Sequence, residues 1–178
     1  MKLFNCLCIS LAILCFFLRI FFLYRFEIYG SLPDLLLIIL VYVAIHGKPK
    51  DVAMQSFILG LICDLNNLES LGIYIFAYLI CGMTVIKIQE NISCEFMIIK
   101  MIVVFIISFF VNTLYFFMIC IDENLSPEHL GVDTTVFFSL ICTALYTFLV
   151  SPIIFILLEI FYFYSNQYEK SLKRRRPL

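Results

Sequence analysis

Phe96–Ile121 is 26 residues long with one charged side chain, Lys100, and Thr134–Tyr164 is 31 residues long with one, Glu159. An α-helix rises 1.5 Å per residue, so about 20 residues cross the roughly 30 Å of hydrocarbon in a bilayer. Lipid offers no water to backbone N–H and C=O groups, and a helix satisfies them within itself. Both stretches therefore read as membrane-spanning helices, the second long enough to tilt or to kink at Pro152. Composition closes off the soluble folds: the chain is 63% hydrophobic and 14% charged, where soluble domains run roughly 45–50% and about 25%. A soluble domain of this size leaves too much surface in water to hide that excess.

Four further apolar runs complete the bundle: Leu3–Tyr24, Leu32–Ile45, Val52–Leu65 and Leu71–Ile86. The first is long enough to span. It has no A-x-A site and is too long for a signal core, so it reads as an uncleaved helix. The other three are short, at 14, 14 and 16 residues. They need polar flanks such as Ser31, His46, Gln89 and Asn91, or local thinning of the bilayer, to complete a crossing. A re-entrant hairpin for two of them stays open, provided protein shields its backbone. The expected fold is an all-α integral membrane protein, a compact bundle of about six transmembrane helices, some short or kinked. Residues 1–168 form one transmembrane domain and 169–178 a basic cytoplasmic tail. Trp is absent, so any aromatic belt is built from the 10 Tyr residues.

Charge placement supports that count. With six spans and both termini in the cytoplasm, the inner segments hold Lys2, Lys48, Lys50, Lys87, Lys100, Lys170, Lys173 and Arg174–Arg176, ten of the twelve basic residues. Only Arg19 and Arg25 fall at the outer end of the first span. Glu27, Asp34, Asp64, Glu69, Asp122, Glu123, Glu128 and Asp133 collect on the other side. Basic residues in short loops resist translocation, so this alternation orients the chain.

No constellation that carries chemistry stands out. His46 and His129 lie in loops on opposite sides, and H-E-x-x-H, G-x-S-x-G and a Gly-rich phosphate loop are missing. Cys6, Cys8, Cys15, Cys63, Cys81, Cys120 and Cys142 lie in or at the ends of apolar runs, and only Cys94 sits in a polar loop. Without a C-x-x-C pair they read as small hydrophobes rather than zinc or redox ligands. The expectation is a protein that is not an enzyme, with no metal, no cofactor and no nucleic-acid partner.

Polar residues at membrane depth are costly and therefore informative. Gly60-x-x-x-Asp64 puts both residues on one helix face, where Gly60 admits a close neighbour and Asp64 bonds to it, or Asp64 simply reaches the interface. Asn112, one turn after Ser108, is placed to bridge helices. Glu159 near the inner end reads as snorkelling or as pairing with the basic tail. Ser31-Leu32-Pro33-Asp34 reads as a helix start, with Ser31 as cap, Pro33 in the first turn and an acid three residues after the cap. Lys173-Arg174-Arg175-Arg176 reads as a lipid-headgroup anchor.

An ordered set of motifs resembles the rod shape-determining MreD family: Pro33-Asp34-Leu35-Leu36-Leu37, Tyr42, Lys48-Pro49-Lys50, Gly60-Leu61-Ile62-Cys63-Asp64-Leu65, Leu71-Gly72 and Ala77-Tyr78. The matching stretch is roughly residues 31–92, and Asn66-Asn67-Leu68-Glu69-Ser70 departs from the small residues common there. The resemblance implies a multi-pass protein of the bacterial cytoplasmic (inner) membrane. It implies a scaffold role in cell-wall elongation. The partner implied is a bitopic MreC-like protein, and through it an MreB-like filament and the peptidoglycan synthases. The residues it points to for partner binding are Pro33, Asp34, Gly60, Asp64, Leu71 and Gly72.

One alternative belongs to another class. A compact six-helix protein of this size is similar to the substrate-binding subunits of vitamin importers. Its candidate ligand groups are Asp64, Asn66, Asn112 and tyrosines.

Overall fold

A computed structural model describes residues 9–17, 31–65, 72–91, 96–122 and 134–174. Every regular element among them is an α-helix. We number them α1 (9–17), α2 (Leu35–His46), α3 (Pro49–Asp64), α4 (Ile73–Asn91), α5 (Met97–Asp122) and α6 (Thr134–Arg174). Most of the first expected span, Leu71, Cys94 and the 123–133 loop with His129 lie outside the described residues.

The bundle is organised around a short apolar helix, α2. Every residue from Leu35 to Ile45 of α2 is buried. A helix apolar on all sides has no face to give to water and belongs in a core or in lipid. Here the neighbours are protein: α2 packs against α3, α4, α5 and α6, while α3–α4, α4–α5 and α5–α6 pack as successive pairs around it. Ala12 and Cys15 of α1 join the same core.

Twelve residues of helix reach only about 18 Å. The rest of the path is supplied by Ser31–Asp34, which run into α2 without helical turns and with Ser31, Pro33 and Asp34 buried. The expected helix start at Ser31 is therefore corrected to Leu35. Leu32 precedes Pro33, and the proline ring disfavours helical backbone at the residue before it. Asp34 is the N-cap instead, its Oδ1 accepting from the Leu37 N–H at 3.2 Å.

Among the described residues, three helices are long and apolar enough to cross a membrane: Ile73–Asn91, Met97–Leu114 within α5, and Phe138–Ser165 within α6. The α4 helix runs five residues beyond the expected Ile86, and α6 continues as helix to Arg174, into the expected tail. Pro152 leaves α6 unbroken. Proline cannot donate to the carbonyl four residues back, and the Ser151 hydroxyl donates to that orphaned Phe148 oxygen at 2.8 Å. Glu159 pairs across to α5, where Lys100 Nζ lies 2.9 Å from its Oε1.

Two glycines set the spacing of α3 against α4. A Cβ on Gly60 would fall 2.5 Å from Ile75 Cα and 2.9 Å from Ile75 N, and one on Gly82 would collide with Ser56 Oγ. Lipid tails are as apolar as the side chains, so helices associate through close packing and hydrogen bonds, and small residues permit both.

The obstacle at Gly82 is a side chain and the obstacle at Gly60 is backbone, so the two sites should respond differently. Gly82→Ala is expected to lower the thermal unfolding temperature in detergent, and adding Ser56→Ala should restore most of it. Gly60→Ala should cost about 1–3 kcal/mol with no side-chain substitution that relieves it. A wild-type melting curve for Gly60→Ala would remove the close contact.

Candidate functional site at the N-terminal end of the central helix

The buried polar atoms gather where α2 begins. Asp34 is 7% exposed and caps α2. Its carboxylate accepts the Tyr78 hydroxyl of α4, with Tyr78 Oη 2.9 and 2.8 Å from the two oxygens. The Cys63 thiol of α3 donates to the same Tyr78 oxygen at 3.4 Å. The Asp34 N–H donates to Thr147 Oγ1 of α6 at 3.0 Å. One residue thus ties α2 directly to α4 and α6, and reaches α3 through Tyr78.

The α6 side of this network is a ladder of small hydroxyls spaced by four: Ser139, Thr143, Thr147 and Ser151. Residues at that spacing share a helix face. Ser31 Oγ donates to the Ser139 carbonyl at 3.2 Å, and Thr143 and Thr147 donate to the carbonyls of Ser139 and Thr143. The hydroxyls satisfy their own helix while leaving oxygen lone pairs for the non-helical backbone entering α2. At the other end of α2, Gln89 Nε2 of α4 donates to the Ile45 carbonyl at 2.6 Å.

A second acid performs the same task one helix away. Asp64 ends α3 and is fully buried, and its carboxylate accepts from the N–H groups of Gly72, Tyr74 and Ile75 at 3.0, 3.0 and 3.2 Å. Those are donors of the first turn of α4, where a helix leaves N–H groups unpaired and carries partial positive charge. Gly72 enters that turn at φ +100°, a left-handed conformation that suits glycine. Gly60, one turn before Asp64, lets α4 come close enough for these bonds.

Of the residues singled out in the sequence, Pro33, Asp34, Gly60 and Asp64 are buried, Gly72 is exposed, and Leu71 lies outside the described residues. The structure brings Gly60, Asp64 and Gly72 into one α3–α4 corner, and Pro33 and Asp34 to the start of α2. Asn112 joins neither group, its Nδ2 donating back to the Ser108 carbonyl of its own helix at 2.8 Å. Thr147 and Ser139 are contributors that the sequence reading did not name, while Tyr78 entered it only within the Ala77-Tyr78 motif and Gln89 only as a polar flank. The hydroxyl ladder on α6 is legible in the sequence as an i, i+4 series.

Short elements shielded inside a helical bundle, with acids spent on helix caps and a tyrosine hydroxyl, define a helical membrane protein. Across residues 2–165 of 178 the chain matches the family described as rod shape-determining protein MreD, and it belongs to that family. That match takes in α1 to α5 and α6 as far as Ser165, well beyond the 31–92 stretch, and gives the chain a role in rod-shape determination. No curated protein and no solved structure matches it.

Losing one partner of a buried charge-assisted hydrogen bond costs about 1–3 kcal/mol. Tyr78→Phe is expected to fall in that range, measured by thermal unfolding in detergent. Asp34→Ala should cost more, since it strands both the Tyr78 hydroxyl and the Leu37 N–H. Equal melting temperatures for Tyr78→Phe and wild type would sink the tie between α2 and α4.

Proposed function

We propose that the chain is a non-catalytic scaffold of the bacterial cell-wall elongation machinery, held in the cytoplasmic membrane with both termini inside. The observation that carries this reading is the MreD family match across 164 residues, from 2 to 165. The geometry is compatible with a scaffold. Asp34 and Asp64, both buried, hold helices together, and Tyr78, whose hydroxyl donates to Asp34, does the same. A rigid bundle presents a fixed outer surface to partners, which is what assembly requires.

The partner in this reading is a bitopic MreC-like protein, linking the chain to an MreB-like filament and the peptidoglycan synthases. Its part outside the membrane would rest on the rim built by Pro33, Asp34, Gly60, Asp64, Leu71 and Gly72. Of the five described, Pro33, Asp34, Gly60 and Asp64 act from within, by fixing the start of α2 and the α3–α4 corner, and Gly72 is exposed.

The test is affinity purification of the tagged protein from its native membranes in mild detergent, with co-purifying proteins identified. Recovery of a bitopic MreC-like protein, with or without wall synthases, is the expected outcome. Recovery of ATPase subunits and a transport partner would instead favour a small-molecule importer. Return of the protein alone would overturn the scaffold reading.

A further inference from the structure

The outer face of α6 carries an apolar ridge with a carboxylate at its edge, near the inner end. Ile141, Leu145, Leu149, Ile156 and Phe163 are all exposed. At 3.6 residues per turn they fall, with Glu159 at the edge, inside a sector of about 80°. From Ile141 to Glu159 the ridge runs about 27 Å, close to the hydrocarbon thickness of a bilayer.

Lipid alone would satisfy the apolar part of this ridge. Glu159 is different. Its side chain is 50% exposed, while Lys100 beside it is buried, with its side chain 6% exposed. Among the described residues, Lys100 is the one hydrogen-bonding partner of Glu159, on Oε1 at 2.9 Å, which leaves Oε2 without a donor. A half-exposed carboxylate with a free oxygen, flanking an apolar ridge at the membrane edge, is a costly thing to present to lipid tails.

The chemistry that would complete it is a single apolar helix with a basic residue at its inner end. Any single-span protein whose bulk lies outside the cell carries Lys or Arg on its inner flank, because those residues resist translocation. Such a helix complements the ridge along its length and Glu159 at its end.

We propose that the α6 ridge docks the transmembrane helix of a single-span partner, with a basic inner-flank residue of that helix on Glu159 Oε2. The proposal rests on the scaffold reading for the existence of the partner and for the inner position of Glu159. It adds which of the exposed faces the partner takes and what charge it brings.

The test places a photo-crosslinking amino acid in the full-length protein at Leu149 or Ile156 on α6, and at Phe76 or Met83 on the exposed face of α4. Each variant is expressed with the co-purifying single-span protein in native membranes. Adducts with the partner are expected from the α6 positions and not from α4. Glu159→Gln should reduce the Ile156 adduct by up to about tenfold, the scale of one close charge pair. Neutralising the basic inner-flank residue of the partner should do the same without touching the folding of this chain. Adducts centred on α4, adducts of the chain with itself at α6, or no adduct on either face while the partner co-purifies would each overturn the proposal. Failure of any single-span protein to co-purify would instead remove the scaffold reading beneath it.

Discussion

The structure depends on burying a helix too short to cross the membrane. The α2 helix reaches about 18 Å, and the segment that completes its path, Ser31–Asp34, is not helical. Non-helical backbone is tolerated at membrane depth only where protein shields it and supplies its bonds. That requirement explains why α2 is surrounded rather than peripheral, and why α6 presents hydroxyls at the level of Ser31 and Asp34. The Asp34 N–H on Thr147 and the Ser31 hydroxyl on the Ser139 carbonyl are the consequence.

The two buried aspartates follow the same logic. A carboxylate in a low-dielectric interior is stable only with several donors around it. Asp64 finds three N–H groups at a helix start, and Asp34 finds one N–H and a tyrosine hydroxyl. In each case the acid satisfies unpaired donors that would themselves be costly to bury. Charge and cap solve one another's problem, so the two acids can be buried in an apolar bundle.

These internal ties bear on function by making the outside predictable. With helix positions set by glycine contacts at Gly60 and Gly82 and by the Asp34 network, the exposed faces of α4, α5 and α6 are fixed surfaces in lipid. Membership of the rod-shape family gives a reason for such surfaces to exist. Lys100 and Glu159 show how a charge pair can serve both sides, with Lys100 buried in the bundle and Glu159 half-exposed beside the exposed apolar ridge of α6.

Apolar run length alone determined the all-helical membrane bundle, and the spans at α4, α5 and α6 appear within a few residues of where they were read, apart from the C-terminal extensions of α4 and α6. Helix length and backbone satisfaction are local properties, which is why the sequence carries them. The Gly60 and Asp64 spacing left a close helix contact as one of two readings, since both lie on one face of α3, and the structure decided for the contact. What only the tertiary structure decided is which short run sits at the centre, that Asp34 rather than Ser31 caps α2, and that Tyr78, Thr147 and Lys100 are the partners of Asp34 and Glu159. Those pairings join residues 44, 113 and 59 positions apart in sequence. No local pattern fixes them, because in lipid any polar group will pair with whichever donor the packing of small residues brings within reach.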